Sequence, residues 1–174
     1  LPTRVGNTIA AFEHYSQVRY NMDSIVLWPR LVPILYKEKY LDFVIQEKTV
    51  FDFLLNMLVI VLFMGLEIFY LLLFWGPSYW IPAIVSLAIS LTASLIFYQG
   101  LIIAARQWGI TVRVAFDLYR DDLSQELGLK PAYTFQQELE RWKQISNFLV
   151  SRHNNDEFSA FLAQVERLKR RQDE

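Results

Sequence analysis

The chain has 174 residues and a net charge of −1, so it has the length of one domain and no excess of positive charge with which to attract nucleic acid. Its apolar fraction is 53% and its aromatic fraction 16%, which is rich for a soluble domain and typical of a protein whose Trp and Tyr meet lipid headgroups. It has no cysteine, which excludes disulfides, thiol catalysis and cysteine-ligated metal sites.

The N-terminal part of the chain predicts helices at the membrane surface. Thr3 and Asn7 are residue types that begin helices, and apolar residues follow them at helical spacing. The stretch 25–35 is apolar, but two prolines interrupt it and it is too short to span a bilayer. We therefore expect it to lie at the interface, with Trp28 as an anchor, and residues 35–48 to lead straight into the next segment.

Two long apolar stretches follow, and they are the most informative feature of the sequence. Phe53–Trp75 is 23 residues long and carries one charge, and Ile81–Ala105 is 25 residues long and carries none. A bilayer core about 30 Å thick needs roughly 20 helical residues to cross it, so each stretch is long enough. Only residues 76–80 separate them, which predicts an antiparallel transmembrane hairpin.

The distribution of positive charge predicts the orientation of this hairpin. Residues 1–50 hold six Lys and Arg, the residues from Arg106 onward hold eleven, and the turn holds none. Since positive charge near helix ends stays on the cytoplasmic side, both termini are expected there. Trp75 and Trp80 would then anchor the outer interface, and Arg106 and Trp108 the inner one.

Each span carries one distinctive face. At 100° per residue, Asp52, Asn56, Phe63 and Glu67 form a polar stripe on the first helix. On the second helix, small side chains form a groove of the kind that lets helices approach closely. The groove contains Ser86, Ser90, Ala93 and Gly100, together with Phe97 and Ala104.

Counting residues outward from the turn matches these faces by depth. Glu67 comes level with Ser86 to Ser90, and Asp52 comes level with Arg106. We therefore expect serine hydroxyls to donate to Glu67, and an ion pair between Asp52 and Arg106 to close the cytoplasmic end.

Glu67 has more than one interpretation. It fixes helix pairing or oligomer register, or it lies on an ion or proton path through a lumen built by several copies, or it contacts a subunit outside this chain. Two helices cannot enclose a path alone, so any transport function requires an assembly.

The C-terminal part predicts a helical lobe. Gly109 to Leu127 continues the second span, and Gly128 followed by Pro131 ends it. Thr134 to Gln137 fits a capping box that opens a further helix with one apolar stripe. That stripe is Phe135, Leu139, Trp142, Ile145 and Leu149. A last helix follows Asn155, with Phe158, Phe161, Leu162, Val165 and Leu168 buried, and the tail at 167–171 is basic.

No residue pattern indicates catalysis. Asp117, Asp121, Asp122 and Glu126 could suggest a divalent metal, but arginines at positions 113 and 120 make a salt-bridged face the better interpretation. The two histidines are far apart and lack ligand spacing. There is no phosphate-binding loop and no nucleophile motif. We expect neither enzymatic activity, nor a metal, nor a cofactor.

Two stretches carry a resemblance to known sequences. They are LPTRVGN at the start of the chain, followed by LWPRL at 27–31, and FDLYR at 116–120 ahead of LGL at 127–129. The chain resembles a group of bacterial integral membrane proteins in which LPTRxGN and LWPRL recur and for which no activity is established. The resemblance implies a bacterial inner-membrane setting and further sequence ahead of Leu1, and it assigns no functional residue.

The sequence thus predicts an all-α membrane protein in three parts. Residues 1–50 form a cytoplasmic or interfacial helical segment, 51–108 the transmembrane hairpin, and 109–174 a cytoplasmic helical lobe. The favoured function is that of a non-enzymatic scaffold or accessory subunit, which assembles with itself or a larger membrane complex through the small-residue groove of the hairpin and the cytoplasmic helices. The alternatives are an oligomeric pore lined by the Asn56/Glu67 stripe and a membrane anchor for a soluble partner.

Overall fold

A computed structural model describes residues 3–129 and 132–150 of the chain. Over these residues the secondary structure is helical and no strand occurs, so the predicted all-α class is confirmed. The helices are α1 (Arg4–Glu13), α2 (Tyr15–Tyr20), α3 (Ser24–Lys37), α4 (Leu41–Trp75), α5 (Trp80–Glu126) and α6 (Phe135–Val150), with a 3₁₀ turn at Pro77–Tyr79. The predicted helix after Asn155 and the basic tail lie outside the described residues.

The described residues fall into two compact units. Among the described residues, the first unit comprises 3–11 and 39–114, and the second comprises 12–38, 115–129 and 132–150. Each unit therefore combines segments that are far apart in sequence, whereas the predicted three-part division follows the chain in order. That division concerns sides of a membrane and stays a prediction.

Helices α4 and α5 are each long and apolar enough to cross a membrane. In the most apolar 18-residue window of each, 6% of α4 and 17% of α5 is buried. A core helix of a soluble domain would be mostly buried, so these windows present their apolar side chains outward. As predicted, α5 continues without a break well beyond the apolar stretch, to Glu126.

The end of α5 and the start of α6 follow the predicted signals. Gly128 has a φ of 70°, and its N–H donates to the Gln125 carbonyl while that of Leu129 donates to Ser124. This is the two-bond arrangement by which a left-handed glycine ends a helix. At the start of α6, Thr134 Oγ1 accepts from the Gln137 N–H at 3.3 Å. In a capping box the Gln137 side chain would accept from the N–H of the capping residue, Thr134. Here Gln137 Oε1 accepts from the N–H of Tyr133, one residue earlier.

The N-terminal helices differ from the prediction at two points. Helix α1 begins as expected, since Thr3 Oγ1 accepts from the Gly6 N–H at 3.0 Å, but Asn7 lies inside the helix. The prolines of residues 25–35 do not interrupt helix α3, which contains both Pro29 and Pro33. Both rings are exposed, so the carbonyls that lose a backbone N–H lie on the outward side of the helix.

Helix α3 also buries more of its apolar side than a surface-lying segment would. Leu27, Leu31 and Leu35 are fully buried in the second unit. Asp23 caps the helix by accepting from the N–H groups of Ile25 and Val26. Residues 35–48 lead straight into the first apolar stretch only from Leu41 onward, because α3 ends at Lys37 and α4 begins at Leu41.

The break between α3 and α4 depends on one left-handed residue. Lys39 has a φ of 59°, a conformation that a residue with a side chain adopts at a cost of roughly 1 kcal/mol. It interrupts the helical hydrogen-bond pattern between the two helices, which a periodicity argument does not detect.

Candidate functional site

Helices α4 and α5 approach each other closely at Gly65. A Cβ added to this glycine would lie 2.0 Å from Ser90 Oγ and 2.2 Å from Ser90 Cβ, so only glycine fits. Ser90 is buried, and its hydroxyl donates to the Val61 carbonyl across the interface at 2.7 Å. Close approach with an interhelical hydrogen bond is the packing that small residues allow between membrane helices.

Two further contacts show the relative direction of the same two helices. Leu54 lies over Gly100, where an added Cβ would be 3.6 Å from the leucine Cδ1. The rings of Phe51 and Trp108 lie 5.6 Å apart. As the residue number falls along α4 it rises along α5, which is the order expected of antiparallel neighbours.

The N-terminal helix α1 adds to this packing. Val5 belongs to one buried cluster with Phe51 of α4 and with Leu101 and Ala105 of α5, and Ile9 packs against the cluster from outside. Tyr40 anchors the start of α4 through a hydrogen bond from its hydroxyl to the Thr111 carbonyl at 3.2 Å.

The predicted small-residue groove of α5 therefore packs against α4 of the same chain. Ser90 and Gly100 both lie against α4, and Ala93 is half-buried. The prediction that serine hydroxyls meet Glu67 is wrong: Ser86 donates to the Ala83 carbonyl at 2.8 Å and Ser90 to that of Val61. Backbone carbonyls in the preceding turn or the facing helix are fixed and close, so they take the hydroxyl protons.

Glu67 and Asn56 lie on the opposite side of α4. Both side chains are exposed, as is Phe63 between them, of which 61% is accessible. Eleven residues separate Asn56 from Glu67, which places them roughly 20° apart around the helix and about 16 Å apart along it. Gly65 lies nine residues from Asn56, or about 180° away. The polar stripe thus points directly away from α5.

The end of the polar stripe nearest the N-terminus of α4 contains an ion pair, though not the predicted one. Asp52 Oδ2 contacts Lys48 Nζ at 2.5 Å, whereas Arg106 is exposed. Lys48 is four residues from Asp52 on the same helix and is always within reach, while Arg106 would have to face it from α5. Lys48 also lies over the Trp108 ring, 5.9 Å from its centroid. The surface geometry of this pair gives it little stabilising value.

The tryptophans proposed as interface anchors have different surroundings. Trp75 and Trp80 are 67% and 55% exposed at the turn between α4 and α5, and Trp75 contacts Tyr79 edge-on. Trp28 is half-buried against Phe116 in the second unit, with ring centroids 6.0 Å apart. Contact with lipid headgroups stays a prediction for all of them.

The second unit contains a polar cluster whose partners the sequence does not predict. The hydroxyls of Tyr15 and Tyr20 both donate to the Asp117 carboxylate, at 3.0 and 2.7 Å. Arg120 lies over the Tyr20 ring at 5.0 Å and donates to Glu138 Oε1 of α6 at 3.0 Å. The sequence predicted salt bridges between Asp117 and the arginines of α5. In the structure Asp117 accepts hydrogen bonds from two tyrosines of α2, and Arg120 pairs with Glu138 of α6.

These bonds hold three helices together. Burial, reinforced by the hydrogen bond to Asp117, raises the pKa of Tyr15 and of Tyr20 above its ordinary value near 10, so both hydroxyls stay donors through the physiological range. Each group in the cluster is engaged by another helix, which favours a structural role. No sequence signal links partners about 100 residues apart, such as Tyr15 and Asp117.

Helix α6 is also hydrogen-bonded to the segment between α2 and α3. Ser146 of α6 is buried, and its hydroxyl accepts from the Asp23 N–H at 2.9 Å and lies 3.4 Å from the Asn21 carbonyl. Trp142, one turn earlier on α6, is 1% exposed. Helix α6 therefore docks through one buried face, while Phe135 from the same predicted stripe is 55% exposed.

No protein-family model, curated protein or solved structure matches the chain.

The geometry therefore sorts the predicted site residues into two groups. Ser90 and Gly100 lie in the interface between α4 and α5, where they allow close packing. Asn56 and Glu67 lie on the outward face of α4, where no described residue forms an ion pair or a hydrogen bond with either side chain. The outward polar face of α4 is the candidate functional site.

Proposed function

We propose that the chain is an integral membrane protein that spans the bilayer as an α4–α5 hairpin and acts without enzymatic chemistry, as a scaffold or accessory subunit. The contacts between α4 and α5 support the antiparallel arrangement. The absence of Lys and Arg between Phe51 and Ala105 supports a hairpin with both termini on the cytoplasmic side. The resemblance to bacterial membrane proteins supports the inner membrane as its location.

One observation carries the assembly function: an acid in the middle of the first apolar stretch, and an amide nearer its start, point away from α5, the helix that packs along the same stretch. A charged side chain at the bilayer centre costs roughly 3 kcal/mol on insertion scales, and such residues almost always face another protein surface. Lipid cannot satisfy Glu67 and Asn56. A neighbouring membrane helix can.

A pore built from several copies would use the same face, with Asn56 and Glu67 lining a lumen. The other outward residues of α4 weigh against it. Phe63 lies between the two polar groups and Tyr70 follows them, and both are more than 60% exposed. Aromatic rings of this size at the same face obstruct a water-filled path and suit a packed helix interface.

The Glu67→Gln variant separates the two functions. A scaffold keeps its assembly, because glutamine has the same shape and can still donate and accept hydrogen bonds, and liposomes that contain it stay impermeable to ions. The measurements are the mass and subunit content of the complex in mild detergent and the ion flux in liposomes. Ring-shaped oligomers that leak ions in the wild type, with a leak altered by Glu67→Gln, would establish the pore instead.

A further inference from the structure

The outward face of α4 has a regular repeat. Starting at residue 53, one row of exposed side chains runs along this face at alternate spacings of three and four residues for three heptads. They are Phe53, Asn56, Ile60, Phe63, Glu67, Tyr70 and Phe74, and every one is exposed. We call these seven residues the α4 seam.

A spacing of three and four places these residues on one face of the helix. Its mean repeat of 3.5 residues is the one that lets a face stay in contact with a second helix in a left-handed pair. The α4 seam also contains the amide of Asn56 and the carboxyl group of Glu67, the two polar side chains other than tyrosine in the apolar part of α4. The exposed rows of this part of the helix that contain neither residue are wholly apolar and are satisfied by lipid.

We propose that the α4 seam binds the α4 seam of a second copy of this chain, in a parallel pair with twofold symmetry. This inference rests on the proposed function, since it names the partner of the same face. Two copies inserted in one orientation run parallel, and a twofold axis along the membrane normal places each residue opposite its own copy.

The hydrogen-bonding groups of the α4 seam are complementary to themselves. Two carboxyl groups that hold a proton between them are joined by a hydrogen bond, so two Glu67 side chains can pair across the twofold axis. The Asn56 amide has both donors and acceptors and can pair in the same way. A different protein would need its own two polar groups at the same eleven-residue separation to satisfy both, whereas a second copy has them by symmetry.

The placement of the two polar groups also fixes the register. In two-stranded coiled coils, a single buried asparagine selects register and the two-stranded state. Here Asn56 and Glu67 lie about three turns apart, so a slip by one heptad leaves both unpaired. The interface with α5 is not disturbed, because Gly65 lies on the opposite side of α4.

Cysteine cross-linking in native membranes tests the pairing directly, because the natural chain has no cysteine. Phe63→Cys and Tyr70→Cys place a thiol in the α4 seam. Met64→Cys and Leu71→Cys are matched controls at the same depth, rotated by about 100° and also exposed. We expect disulfide-linked dimers at 63 and 70 and several-fold less at 64 and 71, since a disulfide needs Cβ atoms about 4 Å apart.

Polar substitutions test the same interface without adding a thiol. Glu67→Ala and Asn56→Ala should each weaken the dimer roughly tenfold, the size of one interhelical hydrogen bond in a membrane, while Glu67→Gln keeps it. The control is Gln99→Ala, since Gln99 is an exposed amide on α5 outside the α4 seam. Dimer fractions are measured by single-molecule counting or by energy transfer between labelled chains in vesicles.

The outcomes separate this inference from the proposed function. Equal cross-linking at all four positions, a ladder of higher species, or a chain that stays monomeric while it is bound to other subunits would overturn the twofold pairing and leave the scaffold function standing. A chain that is washed from membranes would overturn the proposed function itself.

Discussion

Gly65→Ala destabilises the chain by about 1–3 kcal/mol, although alanine is the better helix former. Its new methyl group would lie 2.2 Å from Ser90 Cβ and 2.0 Å from Ser90 Oγ, so α4 and α5 must separate. Separation also lengthens the hydrogen bond from Ser90 to the Val61 carbonyl. The measurement is the free energy of unfolding in detergent, or the midpoint of thermal unfolding.

The matched control is Gly100→Ala in the facing helix. There the added Cβ would lie 3.6 Å from Leu54 Cδ1, an ordinary contact, so the variant should be neutral or slightly more stable. The Gly65→Ala/Ser90→Gly double variant makes room for the methyl group and should recover part of the loss. A Gly65→Ala chain as stable as the Gly100→Ala chain would show that the two helices do not pack at this point.

Trp142→Ala destabilises the second unit by about 3–5 kcal/mol, the usual cost of removing a large buried aromatic side chain. Trp142 is 1% exposed on the face by which α6 docks, next to the hydrogen bonds of Ser146. The effect should appear as increased protease cleavage of the full chain and as a lower unfolding midpoint.

Phe135→Ala, on the same helix, is the control for Trp142. Phe135 is 55% exposed, so its loss should change stability by less than about 0.5 kcal/mol. If both substitutions had the same effect, the burial assigned to α6 would be wrong.

Local signals predicted much of the fold because they act within a few residues. Two long apolar runs, a glycine stop at Gly128 and a threonine cap at Thr134 each specify structure from nearby chemistry, and each appears in the structure. The prolines of α3 show the limit of such rules. An exposed carbonyl without its N–H partner costs little, so packing of the buried leucines of α3 outweighed the local preference.

The orientation of Glu67 could not be predicted in this way. Counting from the turn gives the depth of a residue but not its direction around the helix, which depends on the face of α4 that packs against α5. One signal was present: Gly65 is the sole glycine of the first apolar stretch, and a glycine within a spanning helix marks close approach. Placing Gly65 against the serines of α5 would have turned Glu67 outward.

The cluster around Asp117 lay beyond sequence reasoning for a different reason. Its members come from α2, α5 and α6, so only the assembled unit brings them together. Arg120, three residues after Asp117, was the nearest partner in sequence for that carboxylate, yet its Nε donates to Glu138.

The central claim, that α4 and α5 cross a membrane as a hairpin, is tested most directly by labelling single cysteines in whole cells with a membrane-impermeant maleimide. Tyr79→Cys in the turn should react in intact cells, and Thr3→Cys and Lys143→Cys only after the membrane is permeabilised. Reaction of Tyr79→Cys and Lys143→Cys from the same side, or of Thr3→Cys and Lys143→Cys from opposite sides, would contradict it.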